Sequence, residues 1–345
     1  MTEPTPHPTT DIVTRHNPHE LTPHTPDTHL TPSAAARVAD GWATSTRTGY
    51  TRDWRTFTTW CTNTNRTPLP ATAETLASYV DHLATNGSAP ATIDRALGAI
   101  ASRHAAHGHA VSTKAARMAL RSYNRQWARQ GGRRRQAPAL TVDELRRMLE
   151  TADDTLVGLR NRTLLLLGYA MMARRSELAA LDITDLRPVP DGLEVFVATS
   201  KTDKDAAGAT VAVPYGTHRL TCPVRTTTAY LQALAEAGTT QGPLLRSVDR
   251  HGRLAGTTDA AGRGTGRMSG AGINLIVKRL AHNADIEGIT AHSLRAGPAT
   301  AAAAAGAPRA WIARQGRWSE KSTAVDTYIR PADAWRDNPI RKVGL

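Results

Sequence analysis

Apolar side chains between Ser33 and about Gln130 recur at the spacing of an amphipathic helix. In the first such segment, STRTGYTRDWRTFTTWC, they fall at i, i+4, i+7 and i+11 and form one stripe, with the arginines off it. Short loops that contain Pro70, Gly87 and Gly108 separate the later segments, so the pattern predicts a small helical bundle. The apolar positions of its helices are Tyr50, Trp54, Phe57 and Cys61; Leu76, Tyr79, Val80 and Leu83; and Ile93, Leu97 and Ile100, and a last helix runs from about Ser112 to Arg129.

After Thr141 the pattern becomes a mixture of helix and strand. The stretch TVDE is a capping box, in which Thr141 and Glu144 satisfy the first free amides of a helix. The run RTLLLLGYAMMA predicts a long apolar helix that continues into ARRSELAALDITDL, with Leu164 to Leu167 in the core. LEVFVATS and ATVAVP indicate a β-hairpin with a long loop, residues 222–237 a helix, residues 243–267 irregular structure, and helices resume at about Gly270. The predicted fold class is therefore mainly α (α+β), with a small β-sheet in the second part.

Composition divides the chain into segments. Residues 1–32 are rich in Thr, Pro and His without a sustained period, and we expect them to be disordered. Their histidines fit no face of a helix or strand, so we interpret them as part of a solvated tail and not as a metal-binding tract. Residues 33–130 form the helical bundle, GGRRRQAPA over residues 131–139 is a basic linker, residues 140–330 form the second domain, and residues 331–345 are a C-terminal tail.

The net charge of +13 indicates a polyanionic partner. The first 32 residues are acidic, so the excess positive charge lies in the two predicted domains and the linker. The cysteines, Cys61 and Cys222, have no metal-ligand spacing and suit a reducing cytoplasm. No apolar run is long enough to span a bilayer, and there is no Walker motif, dinucleotide fingerprint or paired-carboxylate metal site. We therefore expect a cytoplasmic protein that needs no membrane, cofactor or metal.

Five residues of the second half carry candidate chemistry. Arg174 stands in ARRSEL, His292 and Arg295 in HSLR, Trp318 in a Gly-Arg-Trp turn, and Tyr328 near the end of the chain. This order of residues resembles the tyrosine recombinases, also called the phage integrase family. The start of the helical bundle, TGYTRDWRTFTTWC, is similar to their SAM-like core-binding domain. The resemblance implies a site-specific DNA recombinase (integrase) that cuts and rejoins strands through a 3'-phosphotyrosine intermediate and a Holliday junction, without metal or ATP.

The resemblance also implies a role for the principal residues. Tyr328 is implied to be the nucleophile that attacks the phosphodiester. Arg174 and Arg295 are implied to hold the two non-bridging phosphate oxygens, which the guanidinium fork suits better than lysine does. Arg175 lies beside Arg174 as an alternative, but the family pattern Arg-x-Ser-Glu-Leu selects Arg174.

The other implied site residues handle protons or give support. Lys201, in the loop of the hairpin, is implied to be the general acid for the departing 5' oxygen, and Lys204 is the alternative. His292 is implied to share proton handling near the nucleophile or to hydrogen-bond the phosphate. Trp318 is implied to donate its indole N–H or to pack in the core. Glu177, three residues after Arg174, is expected to orient a neighbouring residue in the site.

Arginines outside this set are candidates for contacts with the DNA backbone. In the last helix of the bundle they recur at i, i+4 and i+8, and such a stripe repels itself unless an anion lies against it. A solvated helix face is the alternative interpretation of this stripe. The predicted DNA-binding residues are Arg47, Arg117, Arg121, Arg125, Arg133, Arg134 and Arg135.

The resemblance further implies an assembly on DNA. The two domains would close as a clamp on double-stranded DNA with inverted half-sites, as a homodimer on each site and a homotetramer at synapsis. The segment after Tyr328, with Trp335 and Ile340 as anchors, is expected to pack on a neighbouring protomer. An accessory directionality factor would be a further partner.

One feature departs from the family pattern. Trp318 and Tyr328 are ten positions apart, one more than is usual in the family. A loop would absorb the extra residue, whereas inside the helix of the tyrosine it would rotate the nucleophile by roughly 100°. Two other hypotheses stay open. A topoisomerase or telomere-resolvase-like strand transferase would use the same chemistry with a different outcome, and a DNA-binding protein that no longer cuts is favoured by the extra residue alone.

Overall fold

The structure of the chain is a computed structural model, which divides into two compact units, Met1–Arg134 and Arg135–Leu345. The residues that it describes are 31–34, 37, 41–42, 44–133, 136–198, 207–249, 251–256, 265–319, 322–329 and 338–343. The predicted disordered tail over residues 1–32 lies outside this range, except for its last two residues. Helix predominates in the described residues beside a small antiparallel sheet, which confirms the predicted mainly α (α+β) class.

The described part of the first unit is the predicted helical bundle. Its helices are α1 (Thr44–Asn63), α2 (Ala73–Thr85), α3 (Pro90–Ala106) and α4 (Lys114–Arg129). The predicted apolar stripe of α1 faces the core, where Phe57 and Cys61 are fully buried and Trp54 packs partly buried beside them. α1 packs mainly against α3, and α2 against α4.

Two polar contacts hold α3 against the chain that precedes it. Asp53 of α1 accepts hydrogen bonds from Nε and Nη2 of Arg95 at 2.7 and 3.0 Å. His104 is fully buried, and its Nδ1 lies 2.8 Å from the Ile100 carbonyl oxygen. Because a carbonyl only accepts, Nδ1 carries the proton, and Nε2 accepts from the Ala71 amide at 2.8 Å. The first contact joins α1 to α3, and the second fixes the segment between α1 and α2 on the side of α3.

The second unit begins with the predicted capping box. The Glu144 amide donates to the Thr141 hydroxyl at 3.2 Å, and the Thr141 amide donates to the Glu144 carboxylate at 2.8 Å. No helix among the described residues is both long and apolar enough to cross a membrane. The elements of this unit are α5 (Val142–Glu150), α6 (Leu156–Ala170), α7 (Arg175–Ala180), β1 (Leu186–Val189), β2 (Gly192–Val197), β3 (Ala209–Pro214), α8 (Pro223–Glu236), α9 (Gly270–Asn283), α10 (Ser293–Ala304) and α11 (Arg309–Gly316).

The predicted hairpin is the pair β2 and β3, which is antiparallel with Leu193 opposite Val213 and Val195 opposite Val211. These four side chains are buried in the core of the unit. The sequence pattern missed β1, which pairs with the other edge of β2 and completes a sheet of order β1-β2-β3 within the described residues. The sequence of β1, LRPV, is too short and too polar to show a strand period.

The apolar helix ends earlier than predicted, and this is a correction. Leu164 to Leu167 are buried as expected, but α6 stops at Ala170 and does not run into ARRSEL. Met172 adopts a left-handed conformation with φ of 48°. Its amide donates to the Tyr169 carbonyl, and the Ala173 amide donates to the Gly168 carbonyl. This pair of hydrogen bonds is a Schellman motif, with methionine where glycine is usual. It turns the last carbonyls of α6 outward.

A glycine brings α10 onto this part of the unit. A Cβ atom at Gly297 would lie 2.1 Å from the carbonyl oxygen of Leu140, so no larger residue fits there. Leu294 on the same helix is fully buried in the core that contains Leu164 to Leu167. The N-terminus of α10, with its His-x-x-Arg pattern, is thereby held beside the end of α6.

Candidate active site

The structure brings together the predicted site residues that it describes. They come from segments far apart in sequence that meet near the end of α6. These residues are Arg174 and Glu177 at the start of α7, His292 and Arg295 at the start of α10, Trp318 after α11, and Tyr328 in a helical turn over residues 326–329. Lys201 and Lys204 lie outside the described residues.

The Tyr328 side chain points at His292. The distance between the Tyr328 hydroxyl oxygen and Nε2 of His292 is 2.8 Å. The ring of Tyr328 packs on a small apolar cluster that contains Met172, Trp318 and the fully buried Val325. Its centroid lies 5.5 Å from that of the Trp318 ring. The nucleophile candidate is therefore fixed by packing on one side and by a hydrogen bond on the other.

The extra residue between Trp318 and Tyr328 leaves this contact intact. The helical turn that carries Tyr328 begins at residue 326, and the described residues between Trp318 and that turn are not helical. Arg309 tethers this connection, because its Nε pairs with Asp326 at 2.7 Å and its Nη2 donates to the Ser322 carbonyl at 2.7 Å. The rotation that would turn Tyr328 out of the site does not occur in this structure.

Arg295 is the most deeply buried cation of the site, with 2% of its surface exposed. Its Nη1 donates to the Met172 carbonyl at 2.6 Å, and its guanidinium carbon lies 3.7 Å from the centroid of the Trp318 ring. Among the described residues, Nη2 has no hydrogen-bond partner. A buried, unsatisfied cationic donor is costly unless it receives an anion. Nη2 of Arg295 is therefore available to bind an anion.

The Gly-Arg-Trp turn shapes the support under Arg295. A Cβ atom at Gly316 would lie 1.8 Å from the ring of Trp318, so the ring packs directly against this glycine. The tryptophan is 8% exposed and packs in the same apolar cluster as Tyr328. Its ring thus contacts the guanidinium of Arg295 in cation–π geometry. The packing role that the sequence left open for Trp318 is present in the structure.

Arg174 is held by Glu177 through both its main chain and its side chain. Nη1 of Arg174 donates to Oε1 of Glu177 at 2.6 Å, and the Arg174 amide donates to Oε2 at 2.9 Å. Glu177 is almost fully buried, whereas the Arg174 side chain keeps 16% of its surface exposed. The neighbouring Arg175 is exposed and makes none of these contacts. Of the two adjacent arginines, the structure places Arg174 in the site.

Arg317 is a site residue that sequence reasoning missed. It lies in the left-handed position after α11, with φ of 55°, and its Nη2 donates to Oε2 of Glu177 at 2.5 Å. Its Nη1 donates to the carbonyls of Met171 at 3.1 Å and Gln315 at 2.9 Å. The signal in the sequence was an arginine in a helix-ending turn where glycine is usual. Its partner stands 140 positions earlier, so only the fold reveals the contact.

The surroundings set the protonation of the site. Burial, and then the positive charges of Arg295 and Arg174, lower the pKa of His292 below its ordinary 6.5. Burial raises the pKa of Tyr328, although the same arginines oppose the rise. Burial and the charge of Arg174 lower the pKa of Arg295 to about 9, so its guanidinium stays charged at neutral pH. With its proton on Nδ1, the neutral His292 ring accepts at Nε2 the hydrogen bond that the Tyr328 hydroxyl donates.

Burial and neighbouring charges also determine the protonation of Glu177. Burial alone would raise the pKa of this carboxyl, but the charges and hydrogen bonds of Arg317 and Arg174 outweigh burial and lower it. Glu177 is therefore an anion held between two cations. In the described residues, no group of three or more His, Cys, Asp and Glu side chains is arranged to hold a metal ion.

The predicted DNA-binding arginines that the structure describes belong to the first unit. Arg47, Arg121 and Arg125 are exposed on the first unit, and so is Arg117, which pairs with Asp94 at 3.1 Å. Nη1 of Arg133 donates to the carbonyls of Ala128 and Gly132 at 3.3 and 3.0 Å. Arg134, Arg135 and Trp335 lie outside the described residues, and Ile340 is exposed.

The arrangement is suited to an anion that is attacked by a hydroxyl group. Arg295 offers an unsatisfied donor, Arg174 stands beside it as a second cation, and Tyr328 presents its hydroxyl with a proton acceptor at hydrogen-bond distance. A phosphodiester is an anion of the size and geometry that two guanidinium groups bind well. The site therefore combines a candidate nucleophile with a candidate proton acceptor.

Comparison with known proteins agrees with this chemistry. The sequence profile of the Phage integrase family matches residues 138–334. The chain is 30% identical over 322 residues to the Integrase/recombinase xerD homolog of Selenomonas ruminantium, an alignment that covers 91% of this chain and 89% of the relative.

Solved structures share the fold. A lambda integrase dimer bound to a COC' core site superposes with a TM-score of 0.53 at 14% identity, covering 86% of this chain and 92% of that one. The Tn1549 transposon integrase in complex with transposon right end DNA gives a TM-score of 0.55 at 13% identity, with 90% and 98% covered. The family profile and the sequence relative together settle the classification: the chain belongs to the phage integrase family of tyrosine recombinases.

Proposed function

We propose that the protein is a site-specific DNA recombinase that cuts and rejoins strands through a 3'-phosphotyrosine bond at Tyr328. The observation that carries this proposal is the Tyr328 hydroxyl, hydrogen-bonded to a neutral His292 beside the unsatisfied Nη2 of Arg295. Attack by the hydroxyl oxygen forms the Tyr328–phosphorus bond and breaks the bond from phosphorus to the 5' oxygen. Since the energy of the broken bond is kept, the reverse attack rejoins a strand without ATP.

The two arginines are assigned to the phosphate. Arg295 donates from Nη2 to one non-bridging oxygen, and Arg174 donates to the other. Trp318 supports Arg295 through its ring, and we assign its indole N–H to the phosphate as well. Glu177 keeps Arg174 in place and does not touch the substrate. Buried positive groups of this kind act where charge builds up on phosphorus, so they stabilise the transition state more than the ground state.

Proton transfer is divided between two residues. His292 accepts the proton of Tyr328 during attack, because its lowered pKa keeps the ring neutral at neutral pH. We propose Lys201 as the general acid for the departing 5' oxygen, and Lys204 is the alternative. In this scheme His292 keeps the tyrosine proton during the cleaved state, while the lysine proton lies on the 5' hydroxyl. When the 5' hydroxyl attacks to rejoin the strand, the lysine takes that proton back and His292 returns its proton to Tyr328.

We further propose how the protein assembles on DNA in the cytoplasm. The exposed arginines of α4, with Arg47 and the linker arginines Arg133, Arg134 and Arg135, contact the phosphate backbone. Two protomers bind inverted half-sites, and four form the synaptic complex that passes through a Holliday junction. The lambda integrase structures, a dimer on a core site and a tetramer on a Holliday junction with a TM-score of 0.52, support this scheme. Residues 331–345 pack on a neighbouring protomer.

Covalent trapping tests the proposed function. Nicked duplexes from the DNA that flanks the protein's own gene lose a short fragment after cleavage, so the tyrosyl adduct accumulates and migrates as a shifted band on a denaturing gel. We expect the band with the wild type and none with Tyr328→Phe, because phenylalanine packs like tyrosine but has no hydroxyl. Tyr215→Phe is the matched control, since this tyrosine is exposed and outside the site, and it should leave the band unchanged.

The outcomes separate the hypotheses. DNA binding without an adduct at any tested duplex would favour a protein that no longer cuts. A band that survives in Tyr328→Phe would show that another residue is the nucleophile. Relaxation of a supercoiled plasmid without any specific site would favour a topoisomerase. Duplexes trimmed to one or two half-sites, run on native gels, report whether one or two protomers bind.

The pH dependence of cleavage tests the role of His292. At subsaturating DNA, the apparent second-order rate reports the pKa of the free enzyme. This rate should fall as the pH drops through a value below 6.5, because protonated His292 cannot accept the tyrosine proton. His292→Gln can accept a hydrogen bond but does not titrate, so its rate should be lower by about 10²–10⁴-fold and flat over the same range. The same inflection in His292→Gln, or a rate that rises in acid, would contradict the assignment.

A sulfur substitution identifies the general acid. A thiolate leaves without protonation far more readily than an alkoxide, so a 5'-bridging sulfur at the cut position removes the need for an acid. Lys201→Ala should cleave the ordinary duplex about 10²–10⁴-fold more slowly than the wild type and the sulfur duplex at nearly the wild-type rate. Lys204→Ala, the matched control from the same loop, should behave like the wild type on both. The reverse pattern would assign the acid to Lys204.

A further inference from the structure

Arg317 occupies a position that normally excludes it. The Arg317 amide donates to the Arg314 carbonyl, and the Trp318 amide donates to the Ala313 carbonyl, which makes a Schellman motif at the end of α11. The left-handed residue of this motif is usually glycine, because a side chain there costs conformational energy. An arginine held in this conformation, with its side chain 6% exposed, indicates that its contacts outweigh that cost.

Two of those contacts connect Arg317 to Arg174. The side chain of Arg317 pairs with Glu177 at 2.5 Å, and its main-chain carbonyl accepts from Nη2 of Arg174 at 3.5 Å. The opposite oxygen of Glu177 holds Nη1 of Arg174 at 2.6 Å. Nη1 of Arg317 also binds the Met171 carbonyl, so the turn before Trp318 is fastened to the end of α6.

We propose that Arg317 is a positioning residue that keeps Glu177 divided between two guanidinium groups, so that Arg174 faces the phosphate in the correct geometry. This inference rests on the proposed function. Without Arg317, the buried carboxylate of Glu177 has Arg174 as its remaining partner among these side chains. Both oxygens of Glu177 would then pair with Arg174 in a bidentate geometry. This pairing would draw the Arg174 guanidinium away from the phosphate and neutralise its charge.

Direct contact of Arg317 with DNA does not account for these observations. Its side chain is nearly enclosed, and its described donors are directed at Glu177 and at main-chain carbonyls on its own side of the site. Arg295, by contrast, pairs with no carboxylate in the described residues, and its Nη1 donates to the Met172 carbonyl while its Nη2 has no partner there. The two buried arginines therefore have different tasks, since one meets the substrate and the other meets the carboxylate that holds Arg174.

A double-mutant cycle tests the proposal. Arg317→Gly suits the left-handed backbone and removes the side chain, and Glu177→Gln removes the carboxylate charge. With saturating nicked duplex, each single variant should form the adduct roughly 10–100-fold more slowly than the wild type in a single turnover. The double variant should be at most about 3-fold slower than the slower of the two single variants. DNA affinity should stay within about 3-fold of wild type in all three. Arg314→Ala, an exposed arginine of the same helix, is the control and should cleave normally.

Two further readouts separate positioning from a merely structural role. Arg317→Lys restores the cation, so it should recover part of the rate that Arg317→Gly loses. The recovery should be partial because lysine cannot span Glu177 and two carbonyls. In Arg317→Gly the rate should also fall with decreasing pH sooner than in the wild type, because the buried Glu177 has lost one of its cations and protonates more readily. Glu177→Gln, which has no carboxyl group, should lack this shift.

The results that would overturn the proposal are distinct. Multiplied losses in the double variant would show that Arg317 acts on something other than Glu177. Normal cleavage by Arg317→Gly would show that it does not position the site, while the proposed function would stand. Loss of DNA affinity together with cleavage would assign Arg317 to the scaffold or to DNA. A wild type that forms no adduct would remove the proposed function and this inference with it.

Discussion

The site depends on the hydrogen bonds that three successive carbonyl groups accept at the end of α6. The Schellman turn at Met172 points them away from the helix, where Ala170 accepts from Gln315, Met171 from Arg317 and Met172 from Arg295, at 2.8, 3.1 and 2.6 Å. The C-terminus of a helix carries a partial negative charge, so cations are stabilised there without a carboxylate. The segments that carry the later half of the site dock onto this one helix end.

This arrangement also balances the charge of the site. Among the described site residues, the cations Arg174, Arg295 and Arg317 face a single carboxylate, Glu177. Carbonyl dipoles hold Arg295 and part of Arg317 without cancelling their charge, so the cluster remains positive. A pentacoordinate phosphorus gains negative charge as the tyrosine attacks, and a preorganised positive cluster stabilises that state. A second carboxylate in place of the carbonyls would have weakened this effect.

The candidate nucleophile, Tyr328, is held in position by packing within one chain. Val325 and Trp318 are buried in a small cluster with alanines of α10 and α11, and the ring of Tyr328 lies against it. Trp318 therefore contacts the ring of Tyr328 on the one hand and the guanidinium of Arg295 on the other. Its removal would disturb Tyr328 and Arg295 together, so in the proposed reaction a packing residue affects both the nucleophile and the phosphate site.

The sequence predicted those parts of the structure that repeat or that follow a local pattern. Periodicity gave the helices of the first unit, the stretch TVDE gave the capping box at Thr141, and the run Leu164 to Leu167 gave a core helix. The resemblance gave the candidate site residues, and the fold brings together those catalytic candidates that the structure describes. The break at Met172 was missed because the residues before it keep the helical period, so a single left-handed methionine leaves no mark in the pattern. Arg317 was missed because its burial depends on Glu177, which no local pattern connects to it.

The central claim is that Arg174, held by Glu177, neutralises charge on the phosphate, and a neutral phosphate tests it most directly. A methylphosphonate at the cut position replaces one non-bridging oxygen by a methyl group and removes the negative charge. Strand scission should be about 10²–10³-fold slower for Arg174→Ala than for wild type on the ordinary duplex, and the two proteins should differ by less than about 10-fold on the methylphosphonate. Arg175→Ala, from the exposed neighbour, should match the wild type on both. An equal loss on both duplexes for Arg174→Ala would contradict the account.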